Sequence, residues 1–163
     1  MDLSELTKQI ETSVAPFESW QPTSCGEIDI EIKANGDWYF NGSKINRINM
    51  VKLFAQVLTK ENNQYYLKTP IEKMRISVED APFLISHWYE KEGYIICSDN
   101  LERKYILGSN HLLELHNDVP YLQLHHGVLA KVTRNVFYQW AEIASEKNGR
   151  FAICSGDQDF FIG

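Results

Sequence analysis

The chain has 163 residues, 44% of them hydrophobic and 23% charged, with a net charge of −6, which suits one domain or two small ones around a real core. Its cations are scattered, which excludes a generic binder of nucleic acid or anionic membrane, since such a protein needs a basic stripe to neutralise phosphates. No apolar run reaches the roughly 18 residues of a membrane helix, no signal-peptide pattern opens the chain, and three distant cysteines (Cys25, Cys97, Cys154) read as reduced thiols of a cytoplasmic protein.

Residues 2–14 read as a helix with Leu3, Leu6, Ile10 and Val14 on one stripe and Asp2 or Ser4 as its cap. So narrow a stripe must dock, either on the protein's own core or on another subunit or protein partner. Pro16–Gly26 reads as a loop pinned by Phe17 and Trp20. Ile28, Ile30 and Ile32 then alternate with Glu27, Asp29, Glu31 and Lys33, the pattern of a half-buried strand. Asn35-Gly36 signals a hairpin into Trp38-Tyr39-Phe40 because both turn residues tolerate positive φ, and Asn41-Gly42-Ser43 makes a second turn. Asn46 is placed to cap a helix running to about Leu58, with Val51, Phe54, Ala55 and Leu58 inward. After Glu61-Asn62-Asn63, a strand starts at Tyr65 and runs to Thr69-Pro70.

The stretch Thr69–Phe83 is bounded by Pro70 and Pro82 and threads charges between Ile71, Met74, Ile76 and Val78. It reads as a linker, a shared strand or one wall of a site. Beyond it, Phe83–Tyr89 and Tyr94–Ser98 form strands joined at Lys91-Glu92-Gly93, followed by short strands at Lys104–Leu107, His111–Leu115 and Tyr121–His125. Thr133–Ser145 is the second helix, with Phe137, Trp140, Ala141 and Ala144 inward. Strands at Phe151–Cys154 and Phe160–Ile162 close the chain.

One offset relates the two helices. Residues 86 apart, the separation of Val51 from Phe137, place Val51, Phe54, Ala55 and Leu58 on Phe137, Trp140, Ala141 and Ala144. The same offset sets Tyr65, Leu67 and Thr69 on Phe151, Ile153 and Ser155. The chain therefore reads as α+β, with two small related halves, each of antiparallel strands packed on one helix. Its divisions are an N-terminal helix and loop over 1–24, an α+β domain over 25–79, and a β-rich domain with one helix over 80–163. A junction between such halves is a common place for a ligand.

Several residue groups could carry chemistry. Glu79 and Asp80 are adjacent acids, and serve one site only where the backbone turns, because neighbours on a strand point to opposite faces. Otherwise they are solvated linker charges. Lys44, Arg47, Lys73, Arg75 and Arg134 could grip phosphate or carboxylate, or be engaged in ion pairs with Glu72, Glu79 and Asp80. His111, His116, His125 and His126 lack companion ligands at metal-site spacing, and neither a Walker loop nor a Rossmann glycine motif is present. No metal or cofactor is expected, and no reaction is legible.

Taken together, Cys25-Gly26-Glu27-Ile28-Asp29, Trp38-Tyr39-Phe40-x-Gly42-Ser43, Arg47, Leu53-Phe54-Ala55, Thr69-Pro70-Ile71-Glu72 and Val78-Glu79-Asp80-Ala81-Pro82-Phe83 resemble the bacterial domain of unknown function 1285 family. Pro120-Tyr121, Leu129-Ala130 and Arg134 continue the resemblance more thinly. The family usually has Pro where this chain has Lys44. The resemblance implies two related α+β halves, the second loosely like a pleckstrin-homology barrel, and an interdomain groove for a nucleotide-like ligand with a role in signalling. On that basis the expected ligand-binding residues are Asp29, Trp38, Arg47, Glu72, Arg75, Glu79 and Asp80, with aromatics stacking a base and Arg holding phosphate. The alternatives are a protein-interaction module docking through residues 2–14 or a strand edge, and a hydrolase using Glu79 and Asp80.

Overall fold

The structure, a computed structural model, describes residues 2–12 and 16–163. It divides into two compact units, one reaching through Asp80 and including His125–Val128, the other formed by Ala81–Leu124 and Leu129–Gly163.

The first unit opens with helix α1 (Leu3–Glu11), whose cap is Asp2, its Oδ1 accepting from Glu5 N at 2.8 Å. Leu6 and Ile10 are buried in the unit's own core, so the stripe docks at home; Val14 lies outside the described residues. A short 3-10 turn (Phe17–Ser19) follows, and Trp20 is buried with its ring edge-on to Phe17. Next come strands β1 (Ser24–Ile32), β2 (Trp38–Phe40) and β3 (Ser43–Lys44), helix α2 (Ile48–Ala55), then β4 (Leu58–Glu61), β5 (Gln64–Lys68) and β6 (Glu72–Val78). They form one sheet in the order β3-β2-β1-β6-β5-β4. Ile28, Ile30 and Ile32 face the core with Trp38, Phe54, Leu67, Met74 and Ile76.

Thr69–Phe83 is therefore no simple linker: its middle is β6, a central strand. β6 runs parallel to β1 and antiparallel to β5. Just before it, buried Thr69 ties the entry turn, its Oγ1 accepting from Glu72 N at 3.0 Å and donating to Gln9 Oε1 at 2.9 Å.

The second unit contains β7 (Phe83–Lys91), β8 (Tyr94–Asp99), β9 (Lys104–Ile106), β10 (Leu113–His116), β11 (Val119–Gln123), β12 (Leu129–Val132), helix α3 (Arg134–Ile143), β13 (Ser145–Lys147), β14 (Arg150–Ser155) and β15 (Gln158–Phe161). Its larger sheet has the order β10-β11-β12-β7-β8-β9, and β13-β14-β15 form a second, three-stranded one. The protein is thus α+β with two similar halves. Among the described residues every strand belongs to a three-stranded antiparallel meander, and the parallel pairs β1·β6 and β7·β12 fuse meanders into six-stranded sheets.

The offset of 86 holds at the level of register. β5 pairs Tyr66 with Arg75 and Leu67 with Met74; β14 pairs Ala152 with Phe161 and Ile153 with Phe160. Each of those residues is 86 beyond its counterpart. The turns correspond too: Asn62-Asn63 and Asn148-Gly149 both take positive φ at two successive positions, the geometry that suits the twist of a tight hairpin.

Local expectations needed correction in four places. Asn46 does not cap α2; Arg47 holds that position without a side-chain bond, and Leu58 begins a strand. At Asn35-Gly36 only Gly36 takes positive φ, because Asn35 Oδ1 accepts from Asp37 N at 3.0 Å and the loop spans five residues between the Ile32–Trp38 pair. The inner face of α3 is Val136 and Trp140, while Ala141 is exposed. Strands β4, β12 and β13 are too short to show a period, and β13 starts at Ser145, where the helix was expected to end.

Candidate functional site

The seven residues expected at a ligand site all lie in the first unit, and they do not converge. Trp38 is 1% exposed, a core residue whose ring lies 6.4 Å from that of Phe54. Its indole has no open face, so the expected base-stacking role is corrected to a structural one. Glu72 opens β6 and Glu79 follows its last residue, so the two stand roughly 23 Å apart at about 3.3 Å per strand residue. Glu72 Oε2 accepts from Gln9 Nε2 at 2.8 Å and so fastens α1. Arg75 is paired with Glu27 across the β1·β6 junction, and Lys73 with Glu61 at 3.1 Å. These cations are engaged in ion pairs, though with other acids than expected. Arg47 is exposed just before α2, its carbonyl accepting from Met50 N and Val51 N.

Asp29 and Glu79 do meet one electrostatic neighbourhood. Asp29, Glu31, Lys33 and Tyr39 border an open depression of about 390 Å³ on the outward face of β1 and β2. Lys33 Nζ bonds Glu31 Oε1 at 2.8 Å, and this contact, aided by the charge of Glu79, pushes the lysine above its usual range. Glu79 and its neighbour Asp80 are both exposed, so neither carboxylate is withdrawn from water as a general acid requires. The depression is acidic and its one cation is engaged. It is no place for an anion, and no group of acids, histidines and cysteines among the described residues could hold a metal ion.

The second unit offers different chemistry. A pocket of about 280 Å³ lies at the start of α3, lined by Asp118, Pro120, Lys131, Arg134, Phe137 and Tyr138, with Val119 and Val132 between them. α3 begins at Arg134, and Thr133 makes no side-chain cap. The first N–H groups of the helix therefore lack the usual partner and present a partial positive charge. Arg134 is exposed and makes no ion pair among the described residues. Tyr138, 56% exposed, turns an aromatic face towards solvent on what would otherwise be a polar helix side. Of this group the sequence offered only Arg134 as a cation for a ligand; Pro120 entered through the family resemblance and Phe137 as an inward helix residue. The exposed Tyr138 was the available signal, hidden because a helix face cannot be fixed to better than one residue from periodicity.

Fold and pocket together define a two-unit α+β protein with a cationic, aromatic-edged pocket and no assembled catalytic group among the described residues. The chain belongs to the DUF1285 family: residues 15–81 match the N-terminal domain of unknown function (DUF1285), and residues 82–162 match the C-terminal domain of the same protein of unknown function. A DUF1285 family protein from Silicibacter pomeroyi DSS-3 has a solved structure that is similar over 99% of this chain and 94% of its own, with 27% identity and a TM-score of 0.86. Another from Shewanella baltica OS155 is 30% identical over 69% of this chain and 90% of its own, with a TM-score of 0.60. No curated protein matches. No helix among the described residues is long and apolar enough to cross a membrane.

Proposed function

We propose that this protein binds a small anionic ligand carrying a flat ring, a nucleotide-like molecule, in the pocket at the start of α3, and that it acts as a ligand sensor with a regulatory role. The observation that carries this reading is Arg134, a cation without an ion-pair partner among the described residues, set at an uncapped helix N-terminus beside Lys131, Phe137 and Tyr138. Guanidinium and helix N–H groups supply charge-assisted bonds to phosphate oxygens, and the aromatic edge supplies a surface for a ring. Asp118 on the opposite lip can accept from an amino or hydroxyl group of the same ligand. A volume of about 280 Å³ lies at the lower end of small-molecule sites and favours a mononucleotide over anything larger. Exposed, unpaired Cys25 and Cys154 suit a reducing compartment such as the cytoplasm.

Thermal-shift and calorimetric titration with purine and pyrimidine mononucleotides, and with inorganic phosphate, tests the reading. A ligand at a hundredfold excess over its Kd should stabilise the protein by about 2.7 kcal/mol, and Arg134→Gln should weaken binding about tenfold or more. Absence of any stabilisation at millimolar nucleotide, or binding indifferent to Arg134→Gln, would overturn it.

A further inference from the structure

The offset of 86 reaches beyond the helices and exposes a seam that one unit closes and the other leaves open. In the first unit β1 and β6 pair in parallel, with Cys25 opposite Lys73, Gly26 opposite Met74 and Glu27 opposite Arg75. Their counterparts 86 residues on are His111, Leu112 and Leu113 on one side and Asp159, Phe160 and Phe161 on the other. These do not pair. β10 is the terminal strand of its sheet and β15 the terminal strand of the other. In place of a ladder, Leu112, Leu113, Leu115, Phe160 and Phe161 line a groove of about 280 Å³.

The seams also differ in sequence. A Cβ built on Gly26 would stand 3.2 Å from Met74 Sδ, so the closed seam packs the methionine side chain over a glycine. The counterpart of Gly26 is Leu112, which adds apolar surface to the open seam.

The charged groups at the groove are already engaged. Arg150 lies over the Phe161 ring, 4.2 Å from its centroid, and Asp159 Oδ2 accepts from Lys147 Nζ at 2.7 Å. What remains is apolar surface, with Leu112 36% exposed, and the outward main-chain N–H and C=O groups of two strand edges. Such edges are templates for another strand. A nucleotide or a lipid tail would leave both rows of polar groups unsatisfied, whereas an extended peptide offers matching donors and acceptors on both of its sides and alternate side chains for the apolar walls.

The geometry points to a peptide-binding slot between β10 and β15. It takes one extended segment with apolar residues at alternate positions, which bonds to both edges and joins the two sheets as β1 and β6 join directly in the first unit. This site is separate from the pocket at the start of α3 and shares no residue with it.

The test is to pan a displayed random-heptapeptide library on the full chain and measure the recovered peptides by fluorescence anisotropy. Alternating apolar residues are expected. Because the strand is held from both sides, N-methylation of either alternate set of its amides should weaken binding about tenfold or more, and those amides of residues 113–116 and 158–161 that point away from β11 and β14 should exchange quickly in the free protein and slowly in the complex. Leu112→Asp, which sets a charge on the apolar wall, should weaken binding about tenfold or more. Failure to enrich any peptide, sensitivity to only one set of amides, or slow exchange of both edges before peptide is added would overturn the slot. None of these outcomes involves a nucleotide, so the two sites stand or fall separately.

Discussion

Asp99 is the buried charge on which the hairpin from β8 to β9 depends. Its side chain has no exposure, and it accepts four hydrogen bonds: from Leu101 N and Arg103 N on Oδ1, and from Arg103 Nε and Tyr105 Oη on Oδ2, all between 2.8 and 3.0 Å. Asp99→Asn keeps the shape and one acceptor oxygen. It turns an NH₂ towards Arg103 and Tyr105, which are themselves donors. Removing one partner of a buried pair costs about 3–5 kcal/mol. The Arg103 side chain is 29% exposed and can partly rehydrate, so the lower end, about 3 kcal/mol, applies. For a chain of this size each kcal/mol moves Tm by about 2–4 °C, which gives a fall of about 6–12 °C. Urea unfolding followed by far-ultraviolet circular dichroism measures the loss directly. A loss under about 1 kcal/mol, the net worth of a single neutral hydrogen bond, would refute the argument that this carboxylate organises the hairpin.

Three further outcomes are expected. Cys97 is buried, and burial pushes its thiol up to about 12, so a thiol reagent should modify exposed Cys25 and Cys154 in the native protein and reach Cys97 only on unfolding. Gly156 has φ +62, and a Cβ there would stand 2.7 Å from Tyr94 Cε1; Gly156→Ala should lose about 1–2 kcal/mol to the left-handed backbone and more to the clash, and a double-mutant cycle with Tyr94→Ala should recover only the second part. Burial lowers the pKa of His126 below its ordinary 6.5, against the pull of Glu18 and with the help of His125 and Lys68. The unfolded chain then takes up a proton at a pH where the folded one does not, so this contribution to stability is fully present above about 6.5 and is lost as pH falls towards the folded value; the loss should flatten in His126→Gln, as read from unfolding midpoints across pH 5 to 8.

What the sequence made legible was local. The i, i+3, i+4 face of α2 and the alternation in β1 each rest on neighbours within one element, the repeat at 86 residues compares two such local patterns, and there the reading agrees with the structure. Failures came where a distant partner decides. Trp38 reads as an aromatic next to a turn, and only the arrival of Phe54 makes it core. Glu72 and Arg75 read as charges of one site, yet Gln9 claims the first and Glu27 the second. The pocket at α3 drew no attention because its residues come from a turn at Asp118, the end of β12 and one side of a helix, three short pieces without a shared motif.

The same physics explains why the halves diverge at their edges while their interiors agree. Thr69 and Ser155 occupy equivalent positions, 86 residues apart, and both are buried. Thr69 bonds Gln9 of α1, whereas Ser155 Oγ accepts from Ile95 N at 2.9 Å and donates to Leu107 O at 2.6 Å, groups that belong to β8 and to the end of β9. A hydroxyl at that point must find a partner because it is withdrawn from water, but nothing requires the partner to be the same. Each meander brings two edges, and in the first unit two meanders share one parallel junction. The second unit has three meanders and again one such junction, made by β12 and β7. Unlike their counterparts β6 and β1, β15 and β10 each end a sheet without pairing with one another. The open seam is thus the place where the second unit leaves two strand edges that the first unit joins directly.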